Sequence, residues 1–281
     1  MKKKGTKMKT IWNNYRYLIL RRITQITLMF LYLSAYVWGC SFLMGNLSSS
    51  SLLGIIPMSD PYAVLQMFVA GAIISTNLLI GAAIIFSLYA IVGGRIFCSW
   101  VCPINPVTDL ANYLRRKLGF NQIQKKQPVN RNVRYWVIGI SLILSFIFGI
   151  AAFEFISPIS MIHRGIIFGI GFGWAAALII FLFDLFVLKN GWCGHICPLG
   201  GFYSIISKFR LLKVKHSADN CTACMKCKEV CPEVQVLSII SKENGPIVSG
   251  ECTNCARCIE VCDDKALGFK ITDKRKEKKD D

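Results

Sequence analysis

The chain has 281 residues, of which 53% are apolar, and its mean hydropathy is +0.46. These values are unusual for an ordinary soluble domain and favour a bilayer as the solvent. The net charge of +17 does not predict nucleic-acid binding, because the basic residues flank apolar segments and form no stripe interleaved with aromatic residues. Of the 13 cysteines, eight lie within 42 residues in two copies of one spacing, which indicates metal binding in a reducing compartment, not a disulfide scaffold.

Four apolar stretches are long enough to cross a bilayer, for which a helix needs about 20 residues. They are residues 23–44, 66–93, 135–153 and 165–188. The sequence therefore predicts an α-helical integral membrane protein. We divide it into a basic N-terminus (1–22), a four-helix membrane domain (23–212), a small α+β domain (213–270) and a charged, solvated tail (271–281).

The distribution of Lys and Arg predicts the orientation of these spans. Residues 1–22 contain eight basic side chains, residues 95–134 contain eight more, and residues 45–65 contain none. Since positive residues near span ends are retained in the cytoplasm, both termini are expected inside the cell, in a bacterial cytoplasmic membrane.

An internal repeat divides the membrane domain into two-helix units. One unit leads to Cys98-Ser-Trp-Val-Cys102-Pro103, and the other leads 95 residues later to Cys193-Gly-His-Ile-Cys197-Pro198. We interpret this as a duplication in parallel orientation. An amphipathic stretch, 202–212, with Lys208, Arg210 and Lys213 near its end, is expected along the membrane surface.

The C-terminal domain carries two runs of the bacterial ferredoxin type, Cys-x2-Cys-x2-Cys-x3-Cys, 31 residues apart. In such domains the fourth cysteine of each run crosses to the other cluster. Two [4Fe–4S] clusters are therefore predicted. Cluster I takes Cys221, Cys224, Cys227 and Cys262, and cluster II takes Cys252, Cys255, Cys258 and Cys231. Structural zinc, also bound by Cys-x2-Cys pairs, is the alternative, but it has no use for the third cysteine of each run.

The two Cys-x3-Cys-Pro pairs follow the cytoplasmic ends of spans. Their i,i+4 spacing places both sulfurs of a pair on one helix face. Around an axis normal to the membrane, Cys98, Cys102, Cys193 and Cys197 would approach one another as a further metal or cluster site, a redox-active dithiol or a docking surface. The alternative is helix-end packing by buried thiols.

Three ionisable residues are candidates for quinol chemistry. Asp184 lies inside the fourth span, where it either handles protons or snorkels toward Lys189. Glu154 and His163 lie in the outer loop between spans three and four, where His163 is expected to titrate near neutral pH. A simple connector is the alternative for this loop.

With four spans, paired Cys-x3-Cys-Pro motifs and a terminal eight-cysteine ferredoxin, the chain resembles the membrane-bound quinol dehydrogenase subunit of periplasmic nitrate reductase systems, the NapH family. The resemblance extends to Ser157-Pro158-Ile-Ser-Met-Ile-His163-Arg164-Gly165, to Phe183-Asp184-Leu-Phe and to the segment around His195.

The resemblance implies oxidation of menaquinol or ubiquinol in lipid, with electrons passed to a periplasmic iron–sulfur partner and onward to nitrate reduction. An alternative of another class is an assembly or maturation factor that supplies electrons or metal to a respiratory enzyme. Reduction of the purified protein by a quinol analogue would separate the two.

Overall fold

The computed structural model describes residues 2–119, 131–169 and 171–271, with side chains from residue 15 onward. The side chains of the basic N-terminus up to residue 14, and the charged tail beyond Ile271, lie outside the described residues. The described chain divides into two compact units. One unit comprises residues 25–88 and 101–203; the other comprises residues 1–24, 89–100 and 204–281.

The first helix, α1 (Lys2–Trp38), has a break at Tyr15, whose φ of −130° and ψ of 17° are not helical. The part from Tyr15 to Trp38 is the one described helix that is long and apolar enough to cross a membrane by length and composition. It starts eight residues before the predicted span, since Arg16, Arg21 and Arg22 continue the helix.

A small antiparallel sheet follows α1, in a loop for which the sequence predicted no regular structure. Its strands are β1 (Leu43–Gly45), β2 (Ser49–Leu52) and β3 (Ile56–Ser59), in that order. Leu43 pairs with Leu52, and Ser49 pairs with Ser59. Leu43 packs with Tyr32 and Ile167 in a small apolar core.

The second predicted span is interrupted in the structure. Helix α2 (Pro61–Val69) starts at Asp60, which accepts a hydrogen bond from the Tyr62 N–H and thereby caps the helix, with proline at the first helical position. Helix α3 (Thr76–Val92) follows, a mainly apolar helix of 17 residues. The predicted stretch 66–93 therefore contains the end of one helix and the whole of another.

The first cysteine pair lies between two helices, α4 (Ile96–Trp100) and α5 (Ile104–Lys117). The third predicted span corresponds to α6 (Val133–Phe148), an apolar helix of 16 residues that ends at Gly149 in the left-handed conformation. Two short helices follow, α7 (Ala152–Ile156) and α8 (Pro158–Phe168).

The fourth predicted span also begins with a break. Helix α8 ends at Gly169, where φ is +65°, and α9 (Gly173–Leu182) packs back against it. A Cβ at Gly173 would lie 2.5 Å from the carbonyl oxygen of Met161, so this close approach requires glycine. A π-helical segment, Phe183–Val187, extends α9, and a second π-helical segment, Trp192–Ile196, precedes α10 (Pro198–Ile206).

The C-terminal part is α+β, as the sequence predicts. Its sheet has the order β5-β4-β6, formed by β4 (Leu212–His216), β5 (Gly245–Pro246) and β6 (Leu267–Ile271), and both pairings are antiparallel. Two short helices, α11 (Lys226–Val230) and α12 (Arg257–Glu260), carry the cysteines. Apolar residues of this sheet and the cysteines share one core, which is built around Val214, Leu237, Ile240, Ile247 and Leu267.

Several basic residues that the sequence presents as solvated topology signals are buried. Arg21, Arg95, Arg115, Arg134 and Arg210 each expose 1% of their surface or less. Arg210 and Lys213, near the end of the stretch 202–212, are buried within the protein, with 0% and 3% exposed. The position of that stretch along the membrane surface stays a prediction. Arginine is suited to such burial because its guanidinium donates to several carbonyls at once.

Candidate functional site

The two cysteine runs adopt the same backbone conformation. The second and fourth residues after the first cysteine have positive φ in both runs: Ala223 and Met225 at 57° and 58°, Asn254 and Ala256 at 48° and 61°. Each run then enters its short helix with the third cysteine. Such left-handed residues are uncommon outside glycine, so their repetition indicates a backbone shaped around a ligand.

Four thiols line one pocket, which we name site I. His216 and Asp264 also line it. The His216 Nδ1 lies 2.8 Å from the Glu243 carbonyl oxygen, and its buried Nε2 has no hydrogen-bond partner among the described residues. The cysteines of site I are Cys221, Cys224, Cys227 and Cys262.

Four other thiols line a second pocket, site II. These are Cys231, Cys252, Cys255 and Cys258. Each site thus takes three cysteines from one run and the last cysteine of the other. The structure brings together the two sets that crossed ligation requires.

Thiol chemistry in both sites fits an iron–sulfur cluster. All 13 cysteines are free thiols. Burial raises the pKa of Cys258 well above its ordinary value and raises that of Cys227, so these thiols resist ionisation until a metal replaces the proton. Four sulfurs around one cavity are the donor set of a cubane. Within the described residues, no three His, Cys, Asp or Glu side chains converge on a position for a single metal ion.

The loop that carries Cys252 is fastened to residues 92–100. Ser99 Oγ donates to the Thr253 carbonyl at 2.9 Å, and Trp100 Nε1 donates to the Asn254 carbonyl at 3.2 Å. Asn254 Nδ2 donates in turn to the Val92 carbonyl at 3.4 Å. Gly93, at φ +142°, allows this approach, since a Cβ there would lie 2.9 Å from Asn254 Nδ2. Site II therefore adjoins the segment that contains Cys98.

The Cys-x3-Cys-Pro pairs do not lie on single helix faces as expected. Cys98 is within α4 and Cys193 is within a π-helical segment, but Cys102 and Cys197 follow the helix ends. Proline directly after each second cysteine disfavours the α conformation there, and Cys197 has ψ of 112°. Cys102 and Cys197 each expose 5%. A shared site of the four thiols stays a prediction.

Asp184 contacts the residue that directly precedes the second of these motifs. Its Oδ1 accepts a hydrogen bond from the Trp192 N–H at 3.2 Å, while its buried Oδ2 has no hydrogen-bond partner among the described residues. Arg115 donates to the carbonyls of Asp184 and Leu185 at 3.0 and 3.2 Å. This contact fixes the segment leading to Cys193, and the two readings of Asp184, proton handling or snorkelling toward Lys189, stay predictions.

Glu154 is half-buried at the start of α7 and accepts hydrogen bonds from Ser48 Oγ at 2.5 Å and Ser160 Oγ at 2.6 Å. Its charge also acts on Asp60, a residue that the sequence analysis did not single out. The Asp60-Pro61 pair, a helix-start signal, was available to find it.

Asp60 accepts a hydrogen bond from the Tyr203 hydroxyl at 2.8 Å, besides its bond from Tyr62 N–H at 3.2 Å. Burial raises the pKa of Asp60 to about 6, the Tyr203 and Tyr62 bonds oppose the rise, and the Glu154 charge adds to it. The carboxyl group therefore exchanges protons close to neutral pH.

His163 is buried on α8, with its ring edge-to-face against Tyr32 at 4.9 Å. Burial, assisted by the Arg164 charge, lowers the pKa of His163 to about 4. The expectation that it titrates near neutral pH is therefore wrong. The imidazole is neutral at pH 7, and its Nε2 has no partner among the described residues.

Comparison with known proteins places these features in a family. A family described as "4Fe-4S binding domain" matches residues 74–121 and again 170–216, and a "4Fe-4S dicluster domain" family matches residues 213–263. The methylamine utilization ferredoxin-type protein MauN of Methylorubrum extorquens is 42% identical over 92% of this chain and 90% of its own length. The ferredoxin-type protein NapH of Escherichia coli K12 is 41% identical over 84% of this chain and 82% of its own. NapH of Haemophilus influenzae is 42% identical over 80% and 78%.

The chain belongs to the NapH/MauN family of ferredoxin-type proteins. As a NapH/MauN-type protein it is an electron-transfer protein with 4Fe-4S domains, which agrees with the resemblance stated from the motifs. The double match of the binding-domain family to residues 74–121 and 170–216 supports the internal duplication, because each match contains one Cys-x3-Cys-Pro pair. No solved structure matches this NapH/MauN-type chain.

Proposed function

We propose that this protein is an integral membrane component that oxidises menaquinol or ubiquinol and passes the electrons through two [4Fe–4S] clusters toward a periplasmic nitrate reductase, by way of a periplasmic iron–sulfur partner. The observation that carries the proposal is the separation of eight thiols into two four-cysteine cavities, with site II fastened to residues 92–100. Bound at these sites, the clusters supply one-electron transfer.

The proposed membrane location is supported by the surfaces of the apolar helices. Besides Tyr15–Trp38, the shorter helices Thr76–Val92, Val133–Phe148 and Gly173–Val187 lie at the other predicted spans. They expose large apolar side chains, of which Trp136, Phe146, Trp174 and Ile179 are each more than 65% exposed. Exposed apolar surface of this extent is expected against lipid.

The residues proposed to act on quinol are two carboxyl groups, those of Asp60 and Glu154. His163, nine residues after Glu154, is the third candidate. Oxidation of one quinol releases two electrons and two protons. Sites I and II match the two electrons, and the two carboxyl groups are the proposed proton acceptors. A base works best when its pKa lies near the working pH. Asp60 meets that condition with a pKa of about 6.

The test is anaerobic reduction of the purified full-length protein by menaquinol and ubiquinol analogues, followed by electron paramagnetic resonance (EPR). We expect reduced-cluster signals with at least one quinol, at a level that dithionite increases. Clusters that dithionite reduces but neither quinol reduces would favour the maturation-factor alternative. A preparation that binds zinc in place of iron would contradict both.

A further inference from the structure

Arg210 follows α10 and is fully buried. One terminal nitrogen, Nη1, donates to the carbonyls of Ser207 at 3.2 Å and Ser249 at 2.8 Å, and to Ser207 Oγ at 3.1 Å. The other, Nη2, donates to the Ile247 carbonyl at 2.6 Å. Within the described structure all of its hydrogen-bond acceptors are neutral, and its Nε has no partner.

A buried guanidinium with neutral partners is costly, because the charge loses its hydration without meeting an opposite charge. Ile247, whose carbonyl accepts from Nη2, itself lines site II, and Ser249, whose carbonyl accepts from Nη1, lies three residues before the site II ligand Cys252. Among the described residues, Cys252 is also the group whose charge acts on Arg210. The cation is thus placed to face negative charge at site II.

A second buried arginine near site II is already neutralised. Arg95 donates to the Glu251 carbonyl at 2.8 Å, next to Cys252, but the same nitrogen forms an ion pair with Glu233 Oε1 at 2.6 Å. Both side chains are buried, with 1% and 3% exposed. This pair holds the loop without adding net charge. Arg257 also lines site II but is only half-buried, so water screens its charge more than that of the fully buried Arg210.

Site I has a different electrostatic environment. Lys226 acts on Cys224, but it is 54% exposed and pairs with Asp263 at 2.7 Å. Asp264, which lines the site, is half-buried and accepts a hydrogen bond from the Thr222 N–H at 3.1 Å. Water screens the exposed charge of Lys226 strongly, so this cation influences site I less than Arg210 influences site II.

We propose that Arg210 is the buried counter-charge of site II and holds the reduction potential of a cluster there above that of a cluster at site I. The proposal rests on the proposed function only in that both sites bind clusters. Four thiolates make a bound cluster net negative, and reduction adds one electron, so a fixed cation stabilises the reduced form more than the oxidised form. Electrons then reside preferentially at site II, beside residues 92–100.

The test is an EPR-monitored redox titration of the anaerobically purified full-length protein, with chemical mediators. Arg210→Gln keeps an amide donor for the Ile247 and Ser249 carbonyls but removes the charge, and Arg210→Lys keeps the charge. We expect Arg210→Gln to lower one potential by an equilibrium factor of about ten, which is about 59 mV for one electron. The other potential should stay constant, and Arg210→Lys should restore most of the shift. A Cys252→Ala variant, which should lose the affected signal, assigns it to site II.

Lys226→Gln is the matched control, because it removes an exposed cation beside site I; its shift should be much smaller. If Arg210→Gln loses the site II cluster while Arg210→Lys keeps it, charge is again the property required. Unchanged potentials in Arg210→Gln, or equal cluster loss in both variants, would overturn the proposal. Chemical mediators, not quinol, exchange electrons with the clusters in this titration, so a lack of quinol activity would leave the measured potentials valid. A protein without iron would instead contradict the proposed function.

Discussion

The Glu260 carboxylate accepts a hydrogen bond from the backbone N–H of Tyr17 at 2.6 Å, although the two residues are 243 positions apart. The same oxygen accepts from the Leu18 N–H at 2.9 Å. Because α1 is broken at Tyr15, these are orphan donors at the start of its apolar part. Glu260, which is distant in sequence, acts as the N-terminal cap of this part of α1, because no neighbouring residue among those whose side chains are described provides one. Its negative charge is also favourable at a helix N-terminus.

We therefore predict that Glu260→Ala lowers the free energy of unfolding by about 1 to 2 kcal/mol, the range of a lost helix cap. Thermal or denaturant unfolding of the purified protein measures this. Glu229 occupies the same position in the first cysteine run and is exposed, so Glu229→Ala is the matched control and should cost less. Equal losses of unfolding free energy in the two variants would contradict the capping role of Glu260.

The crossed arrangement of the cysteines is tested by pairs of substitutions. Cys231→Ala with Cys255→Ala affects site II alone, so about four irons should remain, since each cubane holds four. Cys224→Ala with Cys255→Ala affects both sites, and both clusters should be lost.

Sequential ligation, in which each run holds its own cluster, gives a different result for a third pair. Cys224→Ala with Cys231→Ala would then leave one cluster, whereas the crossed arrangement predicts that none remains. Iron analysis after anaerobic purification, together with EPR, distinguishes the two arrangements.

The raised pKa of Asp60 predicts that the rate of quinol-dependent reduction depends on pH. If its carboxylate accepts a quinol proton, quinol-dependent reduction rises as pH increases through about 6, where Asp60 ionises. Asp60→Asn should lower the rate by about 100-fold, a usual contribution of a positioned base, and should abolish that rise. The groups that face Asp60 are Tyr62, Tyr203 and Glu154.

Glu154→Gln is the companion variant. Removing its charge lowers the pKa of Asp60, because the Glu154 charge contributes to raising it. The rise in rate should therefore move to lower pH. An unshifted profile in Glu154→Gln, or a parental profile in Asp60→Asn, would exclude Asp60 as the proton acceptor.

The same carboxyl group sets a trend in stability. Its pKa is raised from 3.8 to about 6 in the folded chain, so the folded state holds the proton more tightly than the unfolded state. The resulting stabilisation is present below pH 3.8 and is lost as the pH rises through about 6. Between these values the Tm of the parental protein should fall relative to that of Asp60→Asn.

His163 allows packing and chemistry to be separated. His163→Phe keeps a ring against Tyr32 and removes the buried nitrogen that has no partner, so the Tm should stay constant or rise. If that nitrogen binds the quinol headgroup, the rate should fall about tenfold, the value of one hydrogen bond. An unchanged rate with an unchanged Tm would assign His163 to packing alone.

The cysteine spacing carried most of what the sequence could predict about the site. The eight positions, their division into two sets and the α+β character of residues 213–270 follow from ligand geometry, which permits few solutions. Polar contacts between residues that are far apart in the sequence leave no comparable spacing pattern. Glu260 reads as a solvated charge in sequence, and only the approach of residues 17 and 18 makes it a cap.

The burial of several arginines is not visible in the charge pattern. Arg95, Arg115 and Arg134 belong to the basic segment that predicted a cytoplasmic loop, yet all three are buried. Charge counts assume solvated side chains, whereas Arg115 donates to the carbonyls of Asp184 and Leu185. Similarly, the serine-rich sequence of β2 resembles a polar loop, and its strand depends on pairing with β1 and β3.

The hydrogen bonds from Ser99 and Trp100 fix the loop of Cys252 to the segment that contains Cys98, with Gly93 allowing the contact. If electrons pass between this segment and site II, as proposed, the transfer needs no diffusive movement of a carrier. Its rate should then be insensitive to the viscosity raised by added glycerol or sucrose.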